Sequence, residues 1–185
     1  MKTPEMKEAH ELKDTPETKG IPCRADEGAE DCPEWGEEAL GEIIRFAAQK
    51  PRRKVTEIIM HCSATPVGRR VRLEDIRRWH VEERGWRDVG YHFVVELDGR
   101  IRRGRPLRIA GAHCMGHNAA SVGVCYVGGL DAEMRPCDTR TPSQRRALSW
   151  LVALLRRHLG LLPVRGHRDF ARKACPCFDA ASEYA

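Results

Sequence analysis

Apolar residues recur along this chain at two spacings, one typical of strands and one typical of helices. Residues 1–34 show neither spacing: they are polar, and Pro4, Pro16, Pro22 and Pro33 interrupt any long helix. They read as a tail or a loosely wrapped segment. From Trp35 to Gln49, Leu40, Ile43, Ile44 and Ala47 fall on one side, which predicts a short amphipathic helix ended by Pro51. Val55 to His61, VTEIIMH, is rich in β-branched residues and reads as a buried strand. Leu73, Ile76 and Trp79 to His80 return at helical spacing, predicting a helix over 72–84 that stops at Gly85. Tyr91 to Glu96 alternates as a strand, Asp98-Gly99 signals a two-residue hairpin, and Arg100 to Arg102 would return. Val122 to Val127 is a further apolar strand, closed by Gly128-Gly129. Thr141-Pro142-Ser143-Gln144 supplies an N-cap, a proline at the first helical position and a capping-box glutamine. The stripe Leu148, Leu151, Leu155 and Leu159 follows, Gly160 stops it, and Val164 to His167 makes a short last strand. Strands mixed with helices, one hairpin and no repeat predict an α/β domain with a mixed central β-sheet.

Composition narrows the classes. Charged residues make up 32% and hydrophobic ones 41% of 185, as in ordinary globular proteins. Aromatics at 6% are too few for a platform that stacks single-stranded nucleic acid, so no nucleic-acid partner is expected. The longest apolar run, near Leu151 to Leu155, is far too short to span a bilayer, so no membrane partner is expected. The opening MKTPEMKEAHELKD has no apolar h-region, so no secretory signal is read and cytoplasmic synthesis is expected. Charge is uneven: residues 1–53 hold 9 Lys+Arg against 13 Asp+Glu, a balance of −4, and the rest carries +9. A basic domain behind an acidic leader suits a polyanionic partner, or is simply a solvated basic face. The eight cysteines, at 23, 32, 62, 114, 125, 137, 175 and 177, form no C-x-x-C pair, which excludes zinc-finger spacing. Without a secretory signal they point to free thiols or metal rather than disulfides.

Three side chains end or follow apolar strands: His61 after VTEIIM, His167 after PVRG, and Cys175 in KACPCF. A strand end holds a side chain on rigid backbone at the rim of a sheet. Two imidazoles and a thiolate make a three-ligand zinc set with one position left for water. Spacing alone leaves a packing role open for each of them, because a lone histidine is most often structural.

The stretch HCSATPVGRRVRLEDIRRWHVEERGWRDVGYHFVVELDGRI resembles the type 2 zinc N-acetylmuramoyl-L-alanine amidases. The likeness runs on through GAHCMGHNAASVGVCYVGG, the TPSQ helix and GHRDFARKACPCFD, over about residues 55–180. It is closest to short phage endolysins of the lysozyme-named amidase kind, and peptidoglycan recognition proteins share the fold. What the resemblance implies is a mixed central β-sheet flanked by helices with one Zn2+ in a groove, bound by His61, His167 and Cys175, with Tyr91 and Lys173 assisting chemistry. His113 and Asn118 match groove positions and are expected to contact substrate. The substrate implied is peptidoglycan or a muropeptide, cut between N-acetylmuramic acid and L-alanine, by a protein expected to be a monomer. A cytoplasmic muropeptide-recycling amidase and a non-catalytic binding module are the alternatives; relatives that only bind typically lack the cysteine ligand. The domain is read as 54–185, behind an extension over 1–53. Cys177 stands where related sequences commonly carry Ser and is read as a bystander, with a misplaced ligand or an oxidation partner as the alternatives. His80 and His92 read as packed, and His10, His117 and His158 as surface residues. Cys62, Cys114, Cys125 and Cys137 read as small core or surface side chains. Trp79 and Trp86 read as packing anchors.

Overall fold

The computed structural model describes residues 35–185; the readings made for 1–34, His10 included, lie outside the described residues. The chain runs α1 (Glu37–Ala47), β1 (Glu57–Cys62), β2 (Thr65–Pro66), α2 (Leu73–Arg78), β3 (Phe93–Val95), β4 (Ile101–Arg103), β5 (Ser121–Tyr126), β6 (Gly129–Leu130), α3 (Pro142–Leu159), β7 (Val164–Gly166) and α4 (Ala180–Glu183). Five strands form one sheet in the order β4-β3-β5-β1-β7, and β2 pairs with β6 apart from it. Only β3 and β4 are antiparallel; the other pairings in the large sheet are parallel. This is the mixed sheet that the pattern predicts, flanked by helices as the resemblance implies.

Strand alternation divides the apolar residues between two layers. Ile58 and Met60 of β1, Phe93 and Val95 of β3, and Val122, Val124 and Tyr126 of β5 share one core with α1 and α3. Trp35 meets Trp150 edge to face at 5.7 Å, and Phe46 meets Phe93 at 5.3 Å, so α1 packs on this layer. Val94, Cys125 and Val127 face the other way, against Val71, Leu73 and Ile76 around α2. His61 pairs in register with Cys125 and so belongs to that second face.

Several local expectations are refined. The helix predicted over 72–84 is α-helical only to Arg78 and continues as a π-helical turn, Trp79–Glu83, before Gly85. The hairpin loop has three residues, because Glu96 N–H bonds the Arg100 carbonyl across Leu97-Asp98-Gly99. Gly99 takes φ +85 there, the left-handed position such loops require. The capping box forms as read: Thr141 Oγ1 accepts from Gln144 N–H and Gln144 Oε1 from Thr141 N–H, both at 3.0 Å. Its glutamine does more than cap, since Gln144 Nε2 donates to the Val95 and Val127 carbonyls at 3.2 and 2.9 Å. That ties the start of α3 to the ends of β3 and β5.

Candidate metal centre

β1 runs parallel to both β5 and β7, so the carboxyl ends of these strands meet on one side of the sheet. In open α/β sheets that side is where ligands bind. His61 lies at the end of β1, and His167 follows β7 directly in a single 3-10 turn, His167–Asp169. The Asp169 carboxylate accepts from Gly166 N–H at 2.9 Å and closes that turn. The loop then carries Cys175 back, held by Arg168 N–H on the Cys175 carbonyl and by the Tyr126 hydroxyl on the Pro176 carbonyl, both at 2.7 Å. Cys62 N–H donates to Cys175 Sγ at 3.2 Å.

One donor atom from each of His61, His167 and Cys175 lies within 4.8 Å of the others. His61 Nδ1 is 3.8 Å from Cys175 Sγ, and the His61 and His167 rings are 4.6 Å apart. A tetrahedral ion with bonds of about 2.1–2.3 Å holds its donors roughly 3.5 Å apart, so the set fits a metal after a small contraction. Burial holds the imidazole of His61 well below its usual pKa, with His113, His167 and Lys173 adding to the effect. Burial, then Lys173, lowers His167 too. Neutral rings keep a lone pair for a metal.

The cluster forms the floor of a groove of about 880 Å3, also lined by Tyr91, His113, Asn118 and Lys173. The structure thus brings all seven residues singled out in the sequence to one place. The Tyr91 ring is 5.2 Å from that of His61, and burial, chiefly, raises its phenol far above the usual range, with Cys125 nearby adding to it. Lys173 is exposed at the rim. Asn118 spends its side-chain oxygen inside the loop, accepting from His113 and Cys114 N–H at 2.7 and 2.9 Å. His113 is 8% exposed and bonds His61, Nδ1 to Nε2, at 3.0 Å.

Trp79 and Trp86 do more than anchor packing: both are half-buried and form a wall of the groove with His80. Arg69 lies over Trp79 at 6.0 Å and Arg84 over Trp86 at 5.5 Å. A sequence signal existed, because Ile76, Trp79 and His80 share one helical face and that stripe runs past the sheet into the groove. His80 and His92 are buried, as read, and each accepts a backbone N–H on Nδ1, from Gly90 and Gly123. His117 is partly exposed but stacks on Phe170 at 3.9 Å. Cys177, at φ +71, places its sulfur 3.9 Å from that of Cys62.

Fold and site together define an α/β domain with a ready donor set at the bottom of an open groove. The family model described as N-acetylmuramoyl-L-alanine amidase matches residues 51–178, and the chain belongs to that family. It is 46% identical to an endolysin of Klebsiella phage KP32 over 129 residues, 69% of this chain and 84% of that protein. Among solved structures, it resembles the endolysin amidase LysCS of Clostridium intestinale with TM-score 0.58 and 29% identity, covering 67% of this chain and 76% of that one. Drosophila PGRP-LB superposes with TM-score 0.60 at 26% identity, over 73% and 82% of the two chains.

Proposed function

We propose that this protein is a zinc-dependent amidase that hydrolyses the bond between N-acetylmuramic acid and L-alanine in peptidoglycan, acting as an endolysin. The observation that carries the metal is the His61, His167 and Cys175 cluster on the groove floor. Imidazole and thiolate together select zinc over magnesium or calcium. The similarity to phage endolysins supports action on the cell wall after release. Among the described residues no helix is long and apolar enough to cross a membrane. Residues 54–185 form the amidase unit in this reading, with α1 of the preceding extension docked on the sheet face away from the groove.

His61, His167 and Cys175 would hold the zinc, which when bound would supply Lewis acidity and bring the pKa of a water close to neutrality. The chain's own groups do the rest. The stem peptide and glycan lie along the groove, between the tryptophan wall and the 113–118 loop. The Lys173 ammonium, exposed beside the cluster, stabilises the oxyanion that develops as the amide carbon is attacked. Tyr91, a protonated phenol next to His61, orients the attacking water and donates hydrogen bonds to the reacting atoms. Mass spectrometry of products from purified sacculi tests the bond cut, and metal analysis tests the site. Free L-alanine amino termini on released stems, with one zinc per chain, are expected. Fragments cut in the glycan or within the peptide, or a chain without zinc, refute the proposal.

A further inference from the structure

The groove resemblance places His113 among substrate contacts, but its ring does not behave as an open contact residue. It is nearly buried and sits in a slot made by two glycines. A Cβ on Gly111 or on Gly123 would lie 2.3 or 2.4 Å from the His113 ring. Any side chain at either position would therefore expel the ring. The backbone on either side of His113 is pinned by Asn118, whose side-chain oxygen accepts from the His113 and Cys114 N–H groups.

Held this way, His113 aims Nδ1 at Nε2 of His61 at 3.0 Å, with both groups buried. Its own Nε2 faces Ser121 Oγ at 3.5 Å, and that hydroxyl donates to the His117 carbonyl at 2.8 Å. One pattern of hydrogens satisfies the chain. Ser121 donates to the carbonyl, His113 Nε2–H donates to Ser121, and His61 Nε2–H donates to His113 Nδ1. His61 is then left with a bare Nδ1, the atom 3.8 Å from Cys175 Sγ.

We propose that His113 is a positioning residue that fixes the tautomer and ring angle of His61 for zinc, rather than a substrate contact. The inference rests on the metal reading above. Partners of this kind around a metal-binding histidine raise its basicity, and their loss typically weakens metal binding about 10–100-fold.

The test compares full-length wild type with His113→Leu and His113→Asn. Zinc affinity is read by competition with a chromophoric chelator, and fold by circular dichroism. His113→Leu should weaken zinc by about 10–100-fold with the fold kept. His113→Asn, whose side-chain oxygen sits where Nδ1 sat, should recover much of that loss. Unchanged zinc affinity with a raised KM on a soluble muropeptide overturns the proposal in favour of substrate contact. If His113→Leu does not fold, nitrogen NMR of metal-free wild type decides, since His61 should carry its proton on Nε2. A proton on Nδ1 overturns it. Wild type that takes up no zinc overturns the metal reading itself, whereas equal affinities in all three proteins overturn only the role of His113.

Discussion

Gln144 offers a sharp test of how the domain is held together, because the capping rule and the tertiary structure disagree about it. As a capping-box residue, Gln and Glu are interchangeable. In the fold, Gln144 has no exposure, and its amide nitrogen donates to two carbonyls of the sheet. The Val95 carbonyl also accepts from Val127 N–H at 2.9 Å, so it keeps a partner when Gln144 is replaced. The Val127 carbonyl has no second donor among the described hydrogen bonds. In Gln144→Leu, nearly the same volume is kept, one buried carbonyl is orphaned at a cost of about 1–3 kcal/mol, and half the cap is lost for about 1 kcal/mol. The expected loss is about 2–4 kcal/mol, or a Tm drop of roughly 5–15 °C for a domain of this size. Gln144→Glu keeps the cap but sets a carboxylate against two carbonyl oxygens, so at neutral pH it should be at least as damaging. Burial raises the pKa of such a carboxyl, and the stability missing at neutral pH returns as pH falls and the group protonates and donates. Urea denaturation of the three proteins at pH 7 and pH 5 reads both effects. A Glu variant as stable as wild type at pH 7 would refute the bridging role and leave an ordinary cap.

Zinc at about 100 times its Kd should stabilise the wild type by roughly 2.7 kcal/mol in calorimetry, and Cys175→Ser should lose that gain; equal shifts in both proteins would refute the ligand assignment. Lys173→Ala and Tyr91→Phe should keep zinc and fold while turnover falls on the order of 100-fold. Near wild-type hydrolysis by both would leave the metal alone to carry the reaction. Burial lowers His92 to about 4 from 6.5, so the unfolded chain binds the extra proton between these values. Its stabilising share is whole above pH 6.5 and is lost as pH falls towards 4, by roughly 3 kcal/mol. His92→Asn, which keeps an acceptor near Gly123 N–H, should flatten the denaturation profile across that window, and an unchanged slope would count against the assignment.

Much of this protein is written in short-range pattern. The caps of α3, its leucine stripe and the β-branched runs of β1 and β5 are readable because their causes lie within a few residues of one another. The zinc-type donor set was visible as three strand-end residues, but spacing alone left each with a packing role. The family resemblance supplied their grouping. Tertiary structure decided what depends on distant chain segments meeting. The parallel register of β1 with β5 and β7 brings His61 and His167, more than a hundred residues apart, to one sheet edge. The three-residue hairpin loop and the π turn after Arg78 were settled by packing, because Gly99 closes on Ser143 and the 79–83 turn must carry Trp79 into the groove wall. The place of His113 was hidden for the same reason. Its partner is 52 residues away, and its slot is made by what two glycines lack. Local pattern reports which backbone a segment prefers; only the packed chain shows which polar atoms meet, since a hydrogen bond is fixed by distances of a few ångströms that sequence separation does not encode.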